Sequence, residues 1–132
     1  MMTNLETIQH LYACFASKDY EGFVAICSPD ITWVQNPGFP GGGTHHGGEA
    51  IVEKVFKGFS SEWDGWRFVI EEYLNAGATI VVVGYYEGTH RVSRKSFKAA
   101  AAHVYDVEQG LVSRFRQFTD THVIQEARRA DA

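Results

Sequence analysis

The 132-residue chain has little of what would give a function away. Its two cysteines, Cys14 and Cys27, are too few for a disulfide framework. Both fall on apolar positions of predicted helices, so buried free thiols are expected. Basic charge is short: the net charge is −4, and a nucleic-acid partner is excluded because phosphate binding needs clustered Lys and Arg. One basic cluster, His90, Arg91, Arg94, Lys95 and Lys98, reads as the solvated end of a hairpin. No apolar run approaches the ~20 residues of a membrane span, so no membrane partner is expected. A basic start followed by an apolar segment is also missing, which leaves no signal peptide and a cytoplasmic location by default. The stretch Pro37 to Gly48, PGFPGGGTHHGG, is rich in glycine yet contains neither G-x-x-x-x-G-K-[ST] nor a G-x-G-x-x-G after a strand. His45 and His46 are adjacent, which is not a zinc-ligand spacing, so neither metal nor cofactor is expected. Repeats, linkers and heptads are missing too, and the length suits a single domain over residues 1–132.

What the chain does have is aromatic surface. Nine Phe, six Tyr and three Trp make up 14 % of it. In a small domain such residues pack tightly or line a cavity or an interface.

The N-terminal half reads as helical. Thr3 and Glu6 form a capping box, and Leu5, Ile8, Leu11, Tyr12 and Phe15 follow at helical spacing, predicting an amphipathic helix over residues 4–17. Tyr12 then faces inward, where its hydroxyl needs a partner or a ligand. Asp19 caps a second helix with Tyr20, Phe23, Val24 and Cys27 as its apolar set, ended by Ser28-Pro29-Asp30. A short strand is expected from Ile31 to Asn36, then a mobile loop from Pro37 to Gly48 that acts as a lid or pocket rim around Phe39. Glu49 to Trp63 is the third helix, with Ile51, Val52, Val55, Phe56, Phe59 and Trp63 along one stripe.

The second half reads as strands over 66–74, 79–89, 96–107 and 111–119. Ile80 to Val83 lack alternation, as expected of a strand covered on both faces. The last hairpin carries Ala99 to Ala102, then His103 and Tyr105, turns at Asp106 to Gly110, and ends on Asp120. Small residues beside large aromatics leave room for a ligand. The tail from Gln125 to Ala132 is expected to fray. Three N-terminal helices packed on a strongly curved, mostly antiparallel sheet give an α+β cone with a central apolar cavity.

Several segments together resemble the SnoaL-like polyketide cyclases and ketosteroid-isomerase-like proteins, cone-shaped α+β barrels that also include nuclear transport factor 2. They are Lys18-Asp19, Ser28-Pro29-Asp30-Ile31, Gly47-Gly48-Glu49-Ala50-Ile51, His103-Val104-Tyr105, Gly110-Leu111-Val112 and Phe118-Thr119-Asp120-Thr121. The resemblance covers nearly the whole chain. It implies a small-molecule protein, and Asp120 stands where polyketide cyclases keep an acid/base carboxylate. His103 stands where relatives have a polar partner. The isomerase triad does not carry over: its base position holds Asn36 before Pro37, its protonated aspartate falls near Ala102, and its helix tyrosine lies nearer Leu11 than Tyr12. The epoxide hydrolase Asp-Arg-Asp set has no counterpart either.

The expected catalytic pair is therefore Asp120 and His103, performing proton transfer of isomerase or cyclase type on a small apolar or polyketide-like substrate. The expected ligand-contacting set is Tyr12, Phe15, Trp33, Gln35, Phe56, Trp66, Tyr105, Phe115 and Gln117. Two alternatives stand beside it: a dehydratase or hydrolase using a pocket water, and a non-catalytic ligand-binding or dimerisation module. Asp120 also has a second reading. Alternation puts Phe115, Gln117 and Thr119 on one face and Arg114, Arg116, Phe118 and Asp120 on the other, so Asp120 could instead cap a short C-terminal helix. The open sheet face, with Tyr73, Tyr85 or Tyr86 plus Phe97 or Lys98 according to register, calls for a cover, and a homodimer is the simplest.

Overall fold

The computed structural model describes residues 2–129. Helix α1 (Asn4–Ser17) begins with the capping box: Thr3 Oγ1 accepts from the Glu6 N–H, and the Glu6 carboxylate accepts from the Thr3 N–H at 2.9 Å. Lys18 closes the helix in the left-handed region at φ 59°. Helix α2 (Tyr20–Ala25) is capped by Asp19 and is shorter than its apolar pattern predicts. Cys27 belongs instead to strand β1 (Cys27–Gln35), which begins four residues before the expected start, carries Pro29, and breaks register between Cys27 and Thr32. Proline is tolerated in a strand where the ladder is interrupted. Both cysteines are buried and free, as expected, and burial raises both thiols, Cys27 to about 12.

The glycine-rich stretch is not simply a loop. Gly43–His46 forms β2, paired antiparallel with β1 through Thr32↔His46 to Gln35↔Gly43, and Phe39 is buried. Phe39 packs on Phe59, Trp66 and Tyr86, so it is a core plug rather than the rim of a lid. Its burial fixes the segment that composition alone marks as mobile. His45 is held to the Gly41 carbonyl oxygen.

The third helical region is α3 (Gly48–Ile51), a π-helical turn Val52–Phe56, and α4 (Lys57–Glu62). The π turn inserts one extra residue into the stripe and lets Val52, Val55 and Phe56 all face the core. Trp63, expected to end this helix, opens β3 instead.

Strands β3 (Trp63–Ala76), β4 (Thr79–His90), β5 (Ser96–Glu108) and β6 (Leu111–Thr119) form an antiparallel meander, and β1 joins β6 in parallel, giving the order β2-β1-β6-β5-β4-β3. Register shifts in β3 help curve the sheet. At the second of them Gly84 is required: a Cβ there would lie 2.1 Å from the Val69 carbonyl oxygen. The β5–β6 turn uses Gln109 and Gly110, both at positive φ, the signature of a two-residue type I′ hairpin. Helix α5 (Thr121–Arg128) follows β6 and buries Ile124 and Ala127. The expected fraying thus fails for Gln125 to Arg128, and its last residues, 130–132, lie outside the described residues.

Helices pack on the concave side of the curved six-stranded sheet, giving the expected α+β cone. β4 alternates: Ile80, Val82 and Tyr86 are buried, whereas Val81, Val83 and Tyr85 face outward and are only half-covered, so the strand is not covered on both faces. Among the residues expected on the open face, the register selects Tyr85 and Lys98, whose ammonium sits 4.1 Å over the Tyr85 ring. Tyr86 and Phe97 are buried, and Tyr73 turns inward with its ring edge-on to Tyr12.

Candidate functional site

The concave side encloses an aromatic cavity lined by α1, β1, the π turn with α4, and β3 to β6. The cavity volume is about 40 Å³. The wall is almost wholly apolar. Its polar groups are Tyr12, Gln35, Tyr86, His103 and Tyr105, and no charged side chain lines it among the described residues.

Four of those groups, Tyr12, His103, Tyr86 and Tyr105, form one chain of hydrogen bonds assembled from α1, β4 and β5. His103 projects from β5 with its ring stacked on Phe68 (centroids 4.2 Å apart) and edge-on to Phe115. Its Nδ1 lies 2.6 Å from the Tyr12 hydroxyl of α1, and its Nε2 lies 2.6 Å from the Tyr86 hydroxyl of β4. Tyr105, two residues along β5 and therefore on the same face, donates to the Tyr12 oxygen at 2.8 Å. Gln117 of β6 pairs with His103 across the strands and donates through Nε2 to the Tyr86 oxygen at 2.8 Å. Its Oε1 accepts the Asn36 N–H at 3.0 Å. Asn36 in turn accepts the Thr119 N–H, which ties the end of β1 to the end of β6. A separate pair lies on β1, where Trp33 Nε1 donates to Gln35 Oε1 at 3.0 Å.

Burial sets the protonation of this chain. His103 is fully enclosed, and loss of hydration pushes its pKa down to about 3, so the imidazole is neutral. The same burial raises the Tyr12, Tyr86 and Tyr105 phenols above their ordinary value, so they remain protonated. The site therefore offers neutral hydrogen-bonding groups and, among the described residues, no carboxylate.

Of the residues expected from sequence, Tyr12, Phe15, Trp33, Gln35, Phe56, His103, Tyr105 and Phe115 meet at this cavity. Gln117 stands behind Tyr86 rather than on the wall. Trp66 lies one layer out, face to face with Phe59 at 4.5 Å, and lines an outer groove that shares Tyr12, Phe15, Phe56, Phe59 and Phe68 with the cavity. Asp120 is the correction. It is exposed, and its carboxylate accepts the N–H groups of His122 and Val123 as the N-cap of α5, outside the cavity wall. Strand alternation turns it outward, because β6 runs regularly from Phe115 through Gln117 to its end.

Tyr86 and Phe68 were not among the expected site residues. Tyr86 shares the parity of Ile80 and Val82, but Val81 and Val83 weight the parity of Tyr85 equally, so the sequence carried no signal that selects Tyr86. Phe68 gave none, because its facing depends on the β3 register shifts.

The family model described as SnoaL-like domain matches residues 8–115. An NTF2-like protein from Burkholderia thailandensis E264 is 36 % identical, with 98 % of this chain and 99 % of that one covered and a TM-score of 0.93. An NTF2-like protein from Burkholderia pseudomallei K96243 is 26 % identical over 98 % of this chain and 100 % of that one, with a TM-score of 0.87. TerC, co-crystallised with polyporic acid, is 27 % identical over 94 % and 96 %, with a TM-score of 0.82. No curated protein matches the chain.

Proposed function

The chain belongs to the SnoaL-like domain family, and from that premise we propose that it binds a small, largely apolar, polyketide-like carbonyl compound in the cone and moves a proton on it, in the manner of an isomerase or cyclase. The observation that carries this reading is the neutral His103 imidazole held 2.6 Å from a phenol at each nitrogen. The TerC co-crystal with polyporic acid supports a small-molecule ligand.

The relay balances. Tyr86 gives its hydroxyl proton to the substrate carbonyl oxygen, and His103 Nε2–H reprotonates Tyr86. Tyr12 supplies its proton to His103 Nδ1, and the Tyr12 oxygen takes the proton leaving the substrate α-carbon. A keto form becomes an enol, each phenol is restored, and His103 ends neutral in its other tautomer. No net charge is created in the apolar cone, which suits a site without a counter-ion. The proposal assigns no step to Asp120.

A second reading is favoured by one observation. The depression of His103 to about 3 makes it a weak base, and no carboxylate lines the wall among the described residues, so the same cavity also suits a non-catalytic binder. Exchange of α-protons in D2O decides between them. Small cyclic ketones incubated with the protein should lose α-proton NMR signal faster than in buffer, and His103→Phe should abolish the excess rate. Ketones that bind without any acceleration would leave the binder reading alone.

A further inference from the structure

The inner cavity, at about 40 Å³, is smaller than the ~150 Å³ that admits a benzene ring, so only the reacting end of a ligand fits there. The outer groove beside it has room for the rest. Its volume is about 620 Å³, within the range of pockets that hold drug-sized molecules. Tyr12, Phe15, Phe56, Phe59 and Phe68 line both spaces, which therefore adjoin across these rings.

The floor and the rim of the groove differ in character. The floor is ring surface, with Trp66 face to face with Phe59 and tilted against Trp63 at 5.4 Å. Trp63 Nε1 and Trp66 Nε1 are enclosed and have no hydrogen-bond partner, so a ligand meets the carbon surface of the indoles rather than their N–H groups. Charge sits on the exposed part of the lining: Lys18, Arg67 and Arg91 against one carboxylate, Asp64. Arg91 Nε already holds Asp64 at 2.9 Å, and Arg67 pairs with Glu87 across the strands. Lys18, which closes α1, has no carboxylate partner among the described residues.

We infer that the outer groove is a binding site for a planar aromatic acid, whose rings lie on the aromatic floor and whose carboxylate stays at the rim beside Lys18. Aromatic faces by themselves would also hold an ammonium group. The rim decides against one, because Lys18, Arg67 and Arg91 repel it and Asp64 is already paired. A carboxylate at the rim keeps its hydration, so the site buries rings without burying a charge. This inference rests on the reading that the cone takes a small molecule, and it names the class of that molecule: one with an acid group remote from its reacting end.

The test titrates three probes of one shape, 2-naphthoate, 2-naphthamide and 2-naphthylmethylammonium, while the indole N–H signals are followed by NMR. Trp33→Phe and Trp66→Phe assign the three signals. Trp63 and Trp66 line the groove, whereas Trp33 lines the inner cavity, so naphthoate should move the first two and leave the third. At low salt naphthoate should bind about two- to fivefold more tightly than the amide, as an exposed ion pair allows, and the ammonium most weakly. Added salt should shrink that preference. Lys18→Gln should bring naphthoate down to the affinity of the amide, which itself should not change. Movement of Trp33 rather than Trp63 and Trp66, equal affinities in the wild type, tighter binding of the ammonium, or a preference that survives Lys18→Gln overturns the inference and leaves the small-molecule cone in place. Failure of all three probes to bind also overturns it, and the ketone exchange rate then decides the cone separately.

Discussion

Gln117 Nε2 donates to the Tyr86 hydroxyl at 2.8 Å, while its Oε1 is claimed by the Asn36 N–H at 3.0 Å. The amide is thus oriented by the backbone N–H of Asn36, just after β1, and delivers that orientation to a phenol on β4, across the width of β6 and β5. The Tyr86 oxygen is a junction on which Gln117 and His103 both depend.

Replacing that oxygen should therefore cost more than the loss of one hydroxyl. Tyr86→Phe strands Gln117 Nε2 and His103 Nε2 in a buried site, and we expect a loss of about 1–3 kcal/mol. Urea unfolding at pH 7 measures it. A loss below about 0.5 kcal/mol would mean that these groups find other partners, and that the chain is not the rigid relay described.

The buried imidazole makes stability depend on pH. His103 titrates at about 3 in the folded protein, against an ordinary value of about 6.5 in the unfolded chain. Between those values the unfolded state binds the extra proton. Stability is full above about 6.5 and falls as pH drops toward 3, by up to ~1.4 kcal/mol per pH unit in the steep part. Unfolding free energies at pH 7 and pH 5 should show this slope in the wild type and a weaker one in His103→Gln. Equal slopes would place the titration elsewhere.

Asp120 distinguishes a cap from an acid or base. Asparagine caps helices about as well as aspartate, so Asp120→Asn should leave stability within about 0.5 kcal/mol, whereas Asp120→Ala should cost about 0.5–2 kcal/mol. Ketone affinity and any α-proton exchange should be unchanged in Asp120→Asn. Loss of exchange in that variant, with stability intact, would return the carboxylate to the chemistry.

The outer face of the sheet offers a further test. Val81 pairs with Val104, and Val83 aligns through Ala102 with Phe118, which is 52 % exposed. A second copy of the chain covering these rows is our proposed partner. Phe118→Glu should shift sedimentation from dimer to monomer with little change in the far-UV spectrum. A wild-type protein that sediments as a monomer at high concentration would remove the proposal.

Much of the architecture was written locally. The Thr3–Glu6 capping box, the Asp19 cap and the Gln109-Gly110 turn each act within a few residues, so α1, the start of α2 and the last hairpin could be read directly. The inward facing of Tyr12 followed from its helical stripe and that of Trp33 and Phe115 from strand alternation, because each side chain's facing is set by its own element, whereas His103 came from the family resemblance. Phe39 marks the limit. Nothing beside it in sequence predicts burial, and only Phe59, Trp66 and Tyr86 from elsewhere give it a place.

The sequence by itself determined the α+β order, the aromatic lining and the presence of Tyr12 on an inward face, since propensity, capping and periodicity are properties of neighbouring residues. The tertiary structure alone decided three things: that Tyr86 rather than Tyr85 turns inward, that β1 runs parallel to β6 and so lets Asn36 orient Gln117, and that Asp120 caps a helix outside the cone. Each of these depends on the register and spatial order of strands distant in sequence. Alternation fixes the phase within one strand but not which face closes over the core, and a hydrogen bond spanning 81 residues has no local signature.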